Sequence, residues 1–147
     1  MKYTYWEKED FEKLETAPTY ADLFLIAKDV LERMPQPVGQ VCGPISTGGA
    51  GSVEKNLKRF DDTIADLQQQ GMEIFNQVPF EIPIQRFNSL RGSNTYDDRL
   101  LNDFYLPIFE SRLVQKLYFL SDWESSVGAK WEHEQALRLG LEIEYIA

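Results

Sequence analysis

A glycine-rich segment, residues 43–51, is the first stretch of the chain whose composition suggests chemistry. It holds four glycines together with Ser46 and Thr47, and it leads straight into a predicted helix start at Ser52. Backbone N–H groups in such a loop can approach a phosphate or a carboxylate closely, and the helix dipole adds attraction. The spacing matches neither the dinucleotide fingerprint nor the phosphate loop with its lysine. A flexible turn without a ligand is therefore an equally good interpretation of the loop by itself.

Glu132 is a more informative candidate, because its direction on a predicted helix follows from its spacing. Helical residues step by about 100°, which places Glu132 on one face with Ala129 and Ala136. The opposite face carries the residues expected to meet solvent, namely Lys130, His133 and Glu134. A carboxyl group on the inward face is costly unless it is paired or faces a cavity, and such groups often have shifted pKa values and a function. The competing interpretation is a structural glutamate satisfied by the backbone or by a cation, for which Arg112 and Lys116 are available.

Strands alternate with helices along the rest of the chain. Apolar runs predict strands at residues 38–42, 72–80, 117–120 and 141–146. Helices are predicted at residues 20–34, from Ser52 to a stop at Gly71, over residues 97–112 with a bend at Pro107, and from Ser125 or Ser126 to Gly140. Residues 81–96 are expected to form a long loop that is functional or mobile.

This alternation predicts an α/β fold, a flavodoxin-like three-layer sandwich with a mostly parallel sheet, preceded by an extra N-terminal helix. We expect an N-terminal helical extension at residues 1–37 that packs on the core, and one domain at residues 38–147. Ligands of such sheets bind beyond the carboxyl ends of the strands. The loops at residues 43–51, 77–96 and 121–126 are predicted to lie there.

Composition excludes several classes of function. A net charge of −9 with scattered basic residues argues against binding a nucleic acid polymer. No run of about 18 apolar residues occurs, so we expect no membrane association and a cytoplasmic location. One cysteine, Cys42, and one histidine cannot supply an internal disulfide or a usual zinc site. We expect both residues to be structural and the protein to hold no metal.

Two short motifs carry a resemblance to a known family. Residues 120–132 end a strand, pass through a loop with Trp123 and Ser126, and open a helix with Gly128, Ala129 and Glu132. The first loop agrees through its Gly-Pro-Ile turn, and Asn56, Phe60 and Asn76 add to the match. Over roughly residues 38–146 the chain resembles the nucleoside 2-deoxyribosyltransferase-like superfamily, in particular its uncharacterised bacterial and phage branch. It is similar also to the 2′-deoxynucleoside 5′-monophosphate N-glycosidases.

The resemblance implies roles for particular residues. Glu132 matches the nucleophile that attacks the anomeric carbon, and Asp103, or alternatively Asp98, matches the aspartate that assists the leaving base. Ser126 matches the small polar residue that touches the phosphate in the monophosphate hydrolases. The resemblance also implies a nucleoside or nucleotide substrate, no cofactor, and a homo-oligomer, either a dimer or a tetramer. The expected substrate-binding residues are Gly43, Pro44, Ile45, Ser46, Thr47, Gly48, Gly49, Asn76, Trp123, Ser126 and Gly128.

Two departures from the family pattern leave the substrate open. Gln40 stands where characterised members often have a tyrosine facing the nucleophile, and residues 81–96 have no counterpart. We expect hydrolysis of an N-glycosidic bond, favoured over deoxyribosyl transfer by Ser126. One alternative is a nucleotide-sensing module on the same fold that binds without turnover. Another is an interaction protein whose helix at residues 20–34 docks a partner.

Overall fold

A computed structural model of the chain describes residues 3–45, 49, 51–91 and 97–146. Its centre is a four-stranded sheet in the order β2-β1-β3-β4, in which all neighbouring strands are parallel. The strands are β1 (Val38–Cys42), β2 (Glu73–Ile74), β3 (Lys116–Phe119) and β4 (Glu142–Tyr145). The predicted α/β fold with a parallel sheet is confirmed. Each strand is followed by residues that gather at one edge of the sheet, where the candidate site lies.

Alternate residues of β1 face opposite layers, as the period of two in a strand requires. Val38 and Cys42 pack in the larger core with residues of the N-terminal helices and of the helices that precede and follow β3. Val41 packs on the other side, against Phe60 and Ile64 of the helix after β1. The sheet thus has helices on both faces, which is the flavodoxin-like three-layer sandwich.

Two helices, rather than the single one predicted, precede β1. They are α1 (Lys8–Thr16) and α2 (Tyr20–Arg33). The helix α1 buries only Asp10 and Leu14, so its sequence lacks the repeating apolar residues that would predict a helix. At the start of α1 the Glu7 side chain accepts a hydrogen bond from the Asp10 backbone N–H, and the Asp10 side chain accepts one from the Glu7 backbone N–H. This is a capping box in which an acidic residue takes the position that serine or threonine usually occupies.

The helices on either side of the candidate site begin and end where the sequence predicts. The Ser52 side chain accepts a hydrogen bond from the Lys55 backbone N–H at the start of α3 (Val53–Gln69). The Ser126 side chain accepts one from Ala129 at the start of α6 (Val127–Leu139), and Gly140 ends α6 at a φ of 70°. A left-handed conformation at that position favours glycine.

Residues 72–91 differ from the prediction. Only Glu73–Ile74 pairs as a strand, a 3₁₀ turn follows at Val78–Phe80, and α4 (Glu81–Arg91) occupies much of the expected loop. The segment contains a proline, Pro83, which is usually found outside helix interiors. Pro83 instead lies in the first turn of α4, where a missing N–H has no intrahelical partner to lose, and Ile84 and Phe87 are buried beside it. Residues 92–96 of the expected loop lie outside the described part of the chain.

The predicted helix over residues 97–112 is present in two parts. A π-helical turn (Leu100–Tyr105) runs directly into α5 (Leu106–Glu110), with Pro107 near the start of α5. The change of helix type falls immediately before that proline, which agrees with the expected bend. None of the helices in the described residues is long and apolar enough to cross a membrane.

Candidate functional site

The carboxyl group of Glu132 lies between α6 and the sheet. The residue is 7% exposed, and it shares the buried face of α6 with Ala129 and Ala136, as the helical spacing predicts. Small side chains on that face let the helix approach the strands closely. A glutamate at this position reaches the carboxyl end of β1 rather than solvent.

Two neutral donors on β1 hold this carboxyl group. The Gln40 side-chain amide donates to Glu132 Oε2 over 3.4 Å, and the Cys42 thiol hydrogen-bonds to the same carboxyl group. Burial raises the pKa of Glu132 to about 8, although the hydrogen bonds from Cys42 and Gln40 act in the opposite direction. At neutral pH the free protein therefore holds Glu132 mostly protonated. Cys42 was expected to be structural only, so its contact with Glu132 was missed. Gln40 stands where the resemblance places a tyrosine that faces the nucleophile, and it contacts Glu132.

The structural alternative in which Glu132 pairs with Arg112 or Lys116 is wrong. Arg112 donates to the backbone carbonyl of Leu139. Lys116 forms ion pairs with Glu142 and Glu144 across the neighbouring strand. Among the described residues, the polar contacts of Glu132 come from neutral side chains.

The described part of the glycine loop is joined to the start of α6. The Gly49 backbone N–H donates to the Ser125 hydroxyl over 3.1 Å, and that hydroxyl donates to the carbonyl of Asp122 over 2.7 Å. Arg59 of α3 in turn forms a two-bond ion pair with Asp122. Gly49 is thus near the N-terminus of α6, and Pro44 packs against it. Gly43 lies against Leu120 at the end of β3, and the Ile45 carbonyl accepts a hydrogen bond from Asn56 of α3. Ser46, Thr47 and Gly48 lie outside the described residues.

Packing explains two of the loop glycines. A Cβ atom added at Gly43 would lie 2.6 Å from Leu120 Cδ1. At Gly49 the backbone has a φ of 76°, and a Cβ atom would lie 2.6 Å from Pro44 Cβ. Any other residue would force these neighbours apart. Close packing is therefore sufficient to require glycine at both positions, with or without a ligand.

The predicted phosphate contact, Ser126, and its neighbour Gly128 lie at the first turn of α6. Ser126 is buried, and its hydroxyl already accepts a hydrogen bond from Ala129 N over 3.1 Å. Gly128 is partly buried. Because the capping bond leaves the hydroxyl proton free to donate, Ser126 could still contact a ligand oxygen.

Trp123 packs in an aromatic cluster. Its ring stacks on His133 at 4.3 Å and meets Phe119 edge to face at 5.4 Å. His133 also hydrogen-bonds the Tyr145 hydroxyl over 2.7 Å. The prediction that His133 points to solvent is wrong, because the residue is partly buried under Trp123. The contacts of Trp123 are typical of packing at the rim of a site.

Asp103 and Asp98, the candidates for a second catalytic group, are exposed. Asp103 belongs to the π-helical turn, whose main contacts are with α2 and α5. No contact between either aspartate and Glu132 occurs among the described residues. Their role as partners of Glu132 stays a prediction.

Buried amide side chains at the carboxyl ends of β1 and β2 have spare hydrogen-bonding capacity. Gln77 donates to the Val41 carbonyl over 2.7 Å, which places it beside the end of β1. Its own oxygen has no partner, nor have the oxygen of Gln40 and the nitrogen of Asn76. Buried polar atoms are nearly always satisfied in proteins, so these amides retain hydrogen-bonding capacity at this edge of the sheet. Gln77 was missed, although a polar residue directly after a strand is a signal that the sequence does carry.

A carboxyl group that the sequence did not single out is also perturbed. Glu81 begins α4 and is partly buried, and burial raises its pKa to about 7.

Comparison with known protein families gave a match over most of the chain. Residues 40–145 match the family model DUF4406, described as a domain of unknown function. The chain belongs to the DUF4406 family. The match begins at Gln40 and takes in Glu132 and every described loop of the candidate site, but not α1 or α2. Comparisons with curated proteins and with solved structures gave no match.

Proposed function

We propose that this DUF4406 protein cleaves the N-glycosidic bond of a nucleoside or a nucleoside 5′-monophosphate, with Glu132 as nucleophile. The proposal includes membership of the nucleoside 2-deoxyribosyltransferase-like superfamily, in the branch that the motifs around Gly43 and Glu132 resemble. Hydrolysis is preferred over transfer because Ser126 follows the hydrolase pattern. We also expect a cytoplasmic homo-oligomer, which sedimentation of the purified protein would test.

The observation that carries this proposal is the environment of Glu132. A buried carboxyl group, held by two neutral donors from β1 and by no cation among the described residues, lies at the edge where sheets of this kind bind ligands. Such an arrangement destabilises the charged carboxylate. Groups with strongly shifted pKa values of this kind are concentrated at catalytic sites.

The chemistry follows that of retaining glycosidases. Once Glu132 has lost its proton, a carboxylate oxygen forms a bond to the anomeric carbon while the bond from that carbon to the base nitrogen breaks. The base leaves with the electron pair and takes a proton from an acid, for which Asp103 and Asp98 are the candidates. Water then attacks the anomeric carbon and gives a proton to the same aspartate, while the bond from that carbon to Glu132 breaks and its electron pair restores the carboxylate.

The test is the release of free base. The wild-type protein, Glu132→Gln and the exposed control Glu134→Gln are incubated with ribo- and deoxyribonucleosides and their 5′-monophosphates, and free base is measured by chromatography. We expect release by the wild type and by Glu134→Gln, and none by Glu132→Gln. Equal release by all three proteins would exclude Glu132 as the nucleophile.

A second candidate function is a module that binds nucleotides without turnover. It is favoured by Gln40, which stands in place of the family tyrosine, and by the protonated state of Glu132 at neutral pH. A binding module would release no base. It would bind the same nucleotide in calorimetry with wild-type affinity after Glu132→Gln, because a protonated carboxyl group and an amide present similar hydrogen-bonding atoms.

A further inference from the structure

The buried carboxyl group of Glu132 has no positively charged partner among the described residues, although arginines lie near both ends of α6. Arg112 and Arg138 form their bonds at the C-terminal end of the helix. Arg59 is bound to Asp122 in the loop that precedes its N-terminal end. Residues 46–48, 50 and 92–96, which the structure does not describe, contain no lysine or arginine. We therefore expect a positive charge beside Glu132 to come from a ligand.

A cation in the site would change the protonation of Glu132. Burial raises the pKa of Glu132 to about 8, so the carboxyl group is mostly protonated in the free protein at neutral pH. An opposite charge within about 4–6 Å favours the charged form of a carboxyl group. A positively charged ligand would therefore displace the proton and leave the carboxylate that acts as nucleophile, whereas a neutral ligand would not.

The leaving base is the second reason to expect a cation. No second carboxyl group contacts Glu132 within the described ranges, and the candidates Asp98 and Asp103 are exposed. A neutral base leaves as an anion unless an acid protonates it, and such an acid contributes about 10²–10⁴-fold to the rate. A base that is already positively charged leaves as a neutral molecule and needs no acid.

We propose that the substrate is a nucleoside or nucleotide whose base carries a positive charge, such as an N-ribosylpyridinium or an N7-alkylated purine nucleoside. This inference rests on the proposed glycosidase function and narrows its substrate class. The net charge of −9 agrees with it, because a negatively charged protein attracts cations.

The reaction balances without an added acid. A carboxylate oxygen of Glu132 bonds to the anomeric carbon, and the electron pair of the breaking C–N bond neutralises the ring, so the base leaves uncharged. Water then attacks the anomeric carbon while the bond from that carbon to Glu132 breaks. Glu132 takes up the proton that this water loses and returns to the protonated state of the free protein.

Proton release on binding tests the charge requirement without relying on turnover. Two analogues that cannot be hydrolysed are compared by calorimetry at pH 7 in buffers of different ionisation enthalpy. Carbocyclic nicotinamide riboside keeps the positive charge, and benzamide riboside replaces the charged nitrogen by carbon. We expect wild type to release about one proton with the cation and none with the neutral analogue, and to bind the cation at least about tenfold more tightly. Glu132→Gln should release no proton, and the exposed control Glu134→Gln should behave as wild type.

Turnover provides the second test. Base release from nicotinamide riboside, adenosine and thymidine is measured, and each rate is divided by the uncatalysed rate of the same compound. We expect the rate enhancement to be at least about a hundredfold greater for the cationic nucleoside.

The outcomes separate this inference from the glycosidase proposal. A rate enhancement for a neutral nucleoside that equals or exceeds that of the cation would overturn the inference and leave the glycosidase standing. Equal proton release with both analogues, or no binding of the cation at millimolar concentration, would also overturn it. Proton release with the cation but no base from any nucleoside would support the cation site and refute the glycosidase. The comparison of the two analogues uses the wild type alone, so it holds even if Glu132→Gln does not fold.

Discussion

Two buried carboxyl groups in this molecule, those of Asp10 and Glu132, have opposite electrostatic environments. Asp10 is 1% exposed and lies in the extension, where its carboxylate accepts hydrogen bonds from Arg33 over 2.7 Å and from the Glu7 N–H over 2.7 Å. Glu132 is 7% exposed, and the described residues offer it only the neutral donors of β1. The first group is satisfied as a charged structural element. The second is held in an environment that opposes its charge.

Asp97 extends the comparison. It is buried beside α2, and hydrogen bonds from Arg99, followed by the charges of Arg99 and Arg91, hold its pKa below the usual value against the effect of burial. Asp10 and Asp97 are bound by arginines beside the N-terminal helices, and Arg59 binds Asp122 within the DUF4406 domain. Arginines thus pair with the acids that stabilise the fold, whereas no cation contacts Glu132 in the part of the chain that the structure describes. The difference is the reason for assigning chemistry to Glu132 and structure to Asp10.

The largest expected effect is a loss of activity without a loss of stability when Glu132 is replaced. Glu132→Gln should lower base release at least a thousandfold, since it removes the nucleophile. The same change should leave the free energy of unfolding at pH 8 equal or higher, because a neutral amide does not have to be ionised in a buried position. Base-release rates and urea denaturation of one preparation test both halves. A loss of activity explained by unfolding would contradict the comparison.

Asp10 should behave in the opposite way. Asp10→Asn breaks the ion pair with Arg33 and the reciprocal cap of α1, and should lower the free energy of unfolding by about 2 kcal/mol. This value is below that for fully buried pairs, because Arg33 is one-third exposed and screened by water. Base release by the folded variant should be unchanged. Glu9→Gln, an exposed change in the same helix, is the control, and equal stability of the two variants would show that Asp10 is not a structural acid.

Sequence patterns were sufficient for the parallel sheet and for the inward position of Glu132, because both depend on periodicities that burial imposes. The helix caps at Ser52, Ser126 and Gly140 could also be predicted, since each depends only on residues of its own helix: the serines accept from free backbone N–H groups, and the glycine adopts the left-handed conformation. The helix α1 was not, because it is held by polar contacts between distant residues such as Asp10 and Arg33.

The contacts that define the site could not be predicted from the sequence, because they too join residues that are far apart along the chain. Cys42 meets Glu132 across many intervening residues, and only the packing of α6 on β1 brings the two together. Local rules do not determine which distant side chains pair.

The dependence of stability on pH should distinguish Glu132 from Asp97. The pKa of Glu132 is raised from 4.5 to about 8 in the folded protein, so its contribution to stability is present below pH 4.5 and is lost as the pH rises toward 8. Wild type should therefore lose stability relative to Glu132→Gln across that window, at up to about 1.4 kcal/mol per pH unit. Asp97 has a lowered pKa, so wild type should lose stability relative to Asp97→Asn only as the pH falls below about 4. Urea denaturation from pH 3 to 9 tests both, and parallel curves for wild type and Glu132→Gln would refute the raised pKa.

The smallest expected effect comes from the donors on β1. The Cys42 hydrogen bond lowers the pKa of Glu132 against the larger effect of burial, so Cys42→Ala should raise that pKa further, by about half a unit to one unit. Cys42→Ser retains a hydroxyl donor and serves as the matched control. The pH at which base release reaches half its maximum should shift upward in Cys42→Ala and much less in Cys42→Ser. A carbon NMR titration of the Glu132 carboxyl group gives the same comparison without relying on turnover. Identical titration of the two variants would mean that the thiol only fills space, and that burial alone sets the protonation of Glu132.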